Sequence, residues 1–142
     1  MKKIALILGL GMICLGAQAA DWQVVGHLGD VATVSLDKDS IKEVKKGTRQ
    51  VWSMWNFKEP RKNEGDASFP SFKSYQDLTE YNCAEKTTRL TREILFVEND
   101  GAGAKLDHTD ALKNSKFAAP AKDTLGEGIM NNFVCNQKLG GK

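Results

Sequence analysis

The first twenty residues limit what the remainder can use to hold itself together. Lys2 and Lys3 open the chain with positive charge, Ile4 to Gly16 carries none, and Ala17-Gln18-Ala19 supplies the small residues of a signal-peptidase site. That order predicts a cleavable secretory signal over residues 1–19, with the cut between Ala19 and Ala20. The apolar run is shorter than the roughly 20 residues of a membrane-spanning helix, and Asp21 ends it. Cys14 follows Met12-Ile13 and precedes Leu15, without the small residue that a lipid-attachment cysteine needs before it, so it reads as part of the apolar run. The expected product is residues 20–142, an exported single domain with no lipid anchor and no membrane span. Its expected location is the periplasm, the cell surface or the extracellular medium.

Export gives the cysteines their meaning. Cys83 and Cys135 are the pair left after cleavage, 52 residues apart. In an oxidising compartment one disulfide is the expected state. Closing that loop contributes about 4 kcal/mol in the chain-entropy picture, comparable with the whole stability of many small domains. Two reduced thiols or a metal pair are the alternatives, but no CxxC or Cys/His cluster accompanies them. Cleavage also changes the charge. Twenty basic and 18 acidic side chains become 18 of each once Lys2 and Lys3 leave, so the basic excess belongs to the export signal. A neutral exported domain lacks the basic field of a nucleic-acid binder.

The rest of the chain reads mostly as short strands separated by turns. Residues 21–27 and 31–37 flank Gly29-Asp30, and Ile41 to Val44 and Thr48 to Phe57 flank Lys45-Lys46-Gly47. Within Thr48 to Phe57, Val51, Trp55 and Phe57 point one way while Trp52 and Met54 point the other. Large apolar groups on both sides predict either a strand covered on both faces or one face used for a partner. Lys58 to Ser71 is the longest expected loop, with Pro60, Gly65, Pro70 and several charges. Phe72 to Cys83 and Lys86 to Glu98 are two further expected strands, the second with Leu90, Ile94 and Phe96 on one face and Leu95 and Val97 on the other. Asn99-Asp100-Gly101 then marks a turn. Thr124-Leu125-Gly126-Glu127 fits a helix capping box, and Leu125, Ile129, Met130, Phe133 and Val134 follow at helical spacing. Gly126 and Gly128 each weaken such a helix by roughly 1 kcal/mol against Ala, so it needs tertiary docking. On an ideal helix Cys135 falls nearly opposite the apolar stripe. Either the helix ends near Val134, or a disulfide grips its flank beside Gly128.

Catalytic patterns are missing from the sequence. His27 and His108 stand far apart, and neither lies in a nucleophile elbow, a P-loop or a zinc-protease motif. Cys83 is a nucleophile only if reduced. Asp37-Lys38-Asp39-Ser40 echoes a calcium loop, but Ile41 offers no side-chain oxygen. Asp107 and Asp110 read as solvated charges. No enzyme, metal or cofactor is expected. Surface charge remains: Arg61 and Lys62 beside Pro60, and Lys42, Lys45 and Lys46 at the hairpin, with Glu43, Glu59 and Glu64 interleaved.

Several short motifs in order resemble the surface-adhesin protein E family. They are Trp22, Asp37 with Ser40-Ile41, Arg49-x-Val51-Trp52, Ser71-Phe72-Lys73-Ser74, Tyr81-Asn82-Cys83, Thr88-Arg89 and Phe133-Val134-Cys135. The resemblance implies an α+β fold, an antiparallel sheet of about six strands with a C-terminal helix packed on one face. It implies that Cys83 and Cys135 join sheet to helix. It also implies adhesion to host matrix proteins such as laminin and vitronectin, through a basic loop and neighbouring strand that here correspond to Pro60-Arg61-Lys62. The named adhesin is a surface lipoprotein, whereas this chain lacks the lipid-attachment motif. A periplasmic accessory or structural protein, binding a small ligand or an envelope partner, is the competing expectation.

Overall fold

The structure is a computed structural model that describes residues 20–140; the expected signal segment lies outside the described residues. Seven strands form one antiparallel sheet: β1 (Trp22–Leu28), β2 (Ala32–Asp37), β3 (Lys42–Lys45), β4 (Thr48–Lys62), β5 (Ser71–Asn82), β6 (Thr87–Phe96) and β7 (Lys105–Asp107). They lie in the order β1-β2-β4-β5-β6-β7, and β3 pairs with the first residues of β4. β7, three residues long, is too short for an alternating pattern to announce it. Gly29 closes the β1–β2 turn with φ at +50°, a conformation that side chains with a Cβ rarely adopt.

Register sorts the side chains into two faces, because directly paired residues point to the same side. Val34 pairs with Trp55, Leu36 with Ser53, and Val51 with Thr79. Val34, Leu36, Val51 and Tyr81 form the buried core with Ile129, Met130 and Val134 from the C-terminal segment. On the opposite face, Met54, Ser74 and Phe96 are buried near the turn at Asn99–Gly101. There the Ser74 hydroxyl donates to Glu98 O and accepts from Gly101 N, while Asn99 Nδ2 donates to Phe57 O and Lys73 O. Trp52, two residues before Met54, is only half-buried. The strand is therefore covered on both faces at Met54 and on one face only at Trp52.

The C-terminal segment answers the question of where Cys135 goes. Helix α1 (Leu125–Gly128) runs directly into a π-helical turn at Ile129–Val134, closed by Cys135 N donating to Met130 O at 2.8 Å. Bonding five residues back instead of four widens the turn. Cys135 is carried round to the sheet side, where its Cα is 5.5 Å from that of Cys83 in the disulfide. The helical segment ends at Val134, the first of the two alternatives, with Cys135 as its C-cap. The cap is also slightly shifted from the expected box. Thr124 Oγ1 accepts from Glu127 N, but the Glu127 carboxylate takes Asp123 N. Arg49 holds the far end of this segment, donating from Nη1 to Val134 O and Gln137 O at 2.5 and 2.7 Å.

Two expectations need correction. Lys58–Ser71 is not one long loop. β4 continues to Lys62, β5 begins at Ser71, and only residues 63–70 connect them. Pairing breaks after Asn56↔Ser74 and resumes at Arg61↔Phe72, so Pro60 sits in an irregular stretch where its missing N–H costs no ladder bond. Leu90 also does not share a face with Ile94 and Phe96. Thr91 is an extra residue between Leu78↔Arg92 and Thr79↔Leu90, and its hydroxyl donates to Leu78 O at 2.8 Å. This bulge turns Leu90 to the core side.

Candidate partner-binding surface

Beyond Phe57 the strand leaves the core, and Lys58 to Lys62 are all exposed. Pro60, Arg61 and Lys62 are thus consecutive residues of a projecting strand end, not of a loop. The Arg61 guanidinium carbon lies 5.5 Å from the centroid of the Phe57 ring. Phe57 meets Phe72 edge-to-face at 5.9 Å and Tyr75 at 5.8 Å, and Tyr75 stacks on Trp55 at 5.7 Å. Trp55 packs against the core. A continuous aromatic row therefore runs from the core to the projecting arm, with a cation over its outer part. Pro60 and Arg61 also line a cavity of about 240 Å³ with Asp30, Val31, Lys58 and Glu59.

The connection at residues 63–70 is tied down from within. Asn63 N donates to Pro70 O and Asn63 Nδ2 to Phe69 O, both at 2.9 Å, and Phe69 is buried. Asp66 accepts from Ser68 Oγ at 2.6 Å and from Ser68 N at 2.9 Å, which holds its carboxyl below the usual carboxylate range.

Behind the aromatic row lies a carboxylate pair. Asp77 and Glu93 are cross-strand partners. Burial pushes Asp77 up to about 6 against the hydrogen bonds of Ser53, Thr79 and Trp55, and the charge of Glu93 pushes the same way. Burial likewise raises the Tyr75 and Tyr81 phenols, with Asp77 adding to it. Glu93 Oε1 lies 2.8 Å from His108 Nδ1, and His108 N donates to Glu93 O. The histidine is thereby engaged in joining the β6–β7 end of the sheet. His27 is elsewhere, 3.3 Å from Thr33 Oγ1, on a wide cavity of about 410 Å³ that also takes in Asp30, Asn56 and Lys58.

These positions decide several sequence readings. The two histidines do not meet: one pairs with Glu93 and the other with Thr33. Cys83 is consumed by the disulfide, so the thiol considered as a nucleophile does not exist in this state. The Asp37 carboxylate accepts from Asp39 N and caps a 3₁₀ turn over Lys38–Ser40. Among the described residues no group of three or more His, Cys, Asp or Glu is arranged to hold a metal ion. The aromatic row and the role of Arg49 were missed from sequence. Both depend on register between distant segments, and only the spacing of Trp55, Phe57, Phe72 and Tyr75 hinted at the first.

Neither a curated protein nor a solved structure matches the chain. A family model does, with the description Surface-adhesin protein E, over residues 22–136. That span runs from the start of β1 through both disulfide cysteines, and the sheet, C-terminal helix and sheet-to-helix bridge are those the resemblance implied. The chain belongs to the surface-adhesin protein E family.

Proposed function

We propose that residues 20–142 form a non-enzymatic binding protein of the bacterial cell envelope that contacts host extracellular-matrix proteins through the end of the β4–β5 hairpin. One observation carries this reading. Five consecutive exposed residues, Lys58 to Lys62, project from a rigid sheet and present Arg61 over the aromatic row. A cation and an aromatic cluster at the edge of a stiff platform are the kind of group that dominates protein interfaces. Family membership supports an adhesin. The test is binding of the exported form to immobilised laminin and vitronectin, with Arg61→Glu and Lys62→Glu. Binding at micromolar concentration that either charge reversal weakens about tenfold supports the arm as the contact. No binding, or binding indifferent to both, overturns it.

A second reading is a periplasmic accessory protein that takes a small polar ligand. The cavity lined by His27, Asp30, Thr33, Asn56 and Lys58 favours it. Cell fractionation separates the two, since a protein confined to the periplasm cannot reach host matrix.

A further inference from the structure

The open half of the sheet, on the face away from α1, has no part in the reading above. We infer that it is a binding site for a carboxylated saccharide, with the Trp52 ring as its floor. Register assembles the site from four strands. Trp52 pairs with Leu78 and Leu78 with Arg92, while the neighbouring row places Lys42 beside Gln50. With Asp39 these residues line a cavity of about 300 Å³, at the small end of the roughly 300–1,000 Å³ typical of small-molecule sites and enough for one or two sugar rings.

The chemistry of the lining selects the ligand. An indole face, negative at its centre, attracts the polarised C–H groups of a pyranose ring. Gln50 and Asp39 offer polar groups for hydroxyls, and the lining carries two cations, Lys42 and Arg92, against one anion. Arg92 is poised for a carboxylate. Its guanidinium lies 5.4 Å from the Trp52 ring centroid, and its one acidic contact among the described residues, Asp107 at 3.6 Å, is loose, with the two side chains 46% and 57% exposed. A planar carboxylate in bidentate geometry is a better partner than that contact. An acidic peptide shares the charge but not the fit. At this level β4 is flanked by β3 and β5, so its backbone groups are spent in the ladders and none is offered to an extended main chain.

The experiment is calorimetric titration of the exported form with a galacturonic acid trisaccharide, a neutral trisaccharide and a glutamate-rich peptide. Binding of the uronate in the micromolar to low millimolar range is expected, at least about tenfold tighter than either control. Trp52→Ala and Arg92→Ala should each weaken it about tenfold or more, and Arg61→Glu should leave it unchanged. Lys42→Ala and Arg92→Ala alter exposed side chains, so they report even where Trp52→Ala fails to fold. No uronate binding at 10 mM (about the weakest affinity calorimetry detects) overturns the inference. So does equal binding of the neutral sugar, preferential binding of the peptide, or indifference to the Lys42 and Arg92 variants. Loss through Arg61→Glu alone assigns the ligand to the arm and overturns it too.

Discussion

Val51 and Trp52 are neighbours on one strand, yet they belong to regions held by different means. Val51 faces a core closed by Ile129, Met130 and Val134, and that cover is fixed three ways: by apolar burial, by the Cys83–Cys135 bond and by Arg49 on the final carbonyls. Trp52 faces an open floor with polar and charged groups around it. The covered side uses its side chains to hold the C-terminal segment, whereas the open side has little to hold. The side chains that hold the C-terminal segment thereby lie on one side of this strand, which leaves Trp52 and its surroundings free to change without disturbing that core.

The comparison breaks most readily at the disulfide. Replacing both cysteines by serine is expected to lower stability by about 4 kcal/mol and the melting temperature by more than about 10 °C. A melting curve that does not move would mean that the cover is held by packing alone. Next is the buried acid. Unfolded, Asp77 releases its proton near 3.8; folded, it keeps it up to about 6. The folded state binds more protons between those values, so stability falls as pH rises from about 4 to 6 and stays lower above. Asp77→Asn should remove that loss, gaining about 3 kcal/mol over the parent at pH 7.5 and almost nothing at pH 3.5. Urea midpoints of both proteins at the two pH values check it, and an equal difference at both would refute the burial cost. Arg49→Met should cost about 1–3 kcal/mol by leaving two carbonyls without their donor, read by the same denaturation. Arg61→Ala and Arg92→Ala should change stability by less than about 0.5 kcal/mol, since both guanidinium groups are surface features. A larger loss from either would mean that the open side also carries the fold.

How much of this was legible beforehand depends on the range of the interactions involved. The capped C-terminal helix, most of the strands and the cysteine pair were readable, because caps, alternation and turn residues are local signals. The arm reads as a loop from sequence because Pro60 and the surrounding charges are loop signals, while the pairing of Arg61 with Phe72 restores the strand. Plain alternation puts Leu90 on the wrong face because one bulge residue, Thr91, inverts the pattern and bulges leave no reliable local mark. The helix end at Val134 is one of two alternatives that the sequence leaves open, and choosing between them takes the widened turn and the bridge to Cys83. As for the candidate surface, Arg61 and Lys62 are visible as charge beside Pro60, but the aromatic row beneath Arg61 needs the register.

The supply of core residues from 129–134 has a kinetic consequence. A chain emerging from its N-terminus presents Val34, Leu36 and Val51 long before Ile129, Met130 and Val134 arrive to meet them. Until then the sheet has an uncovered apolar side, and the thiol of Cys83 waits for a partner 52 residues downstream. Completion of the fold is therefore a late event in the life of the chain, and the waiting interval is when it is most exposed to aggregation or mispairing.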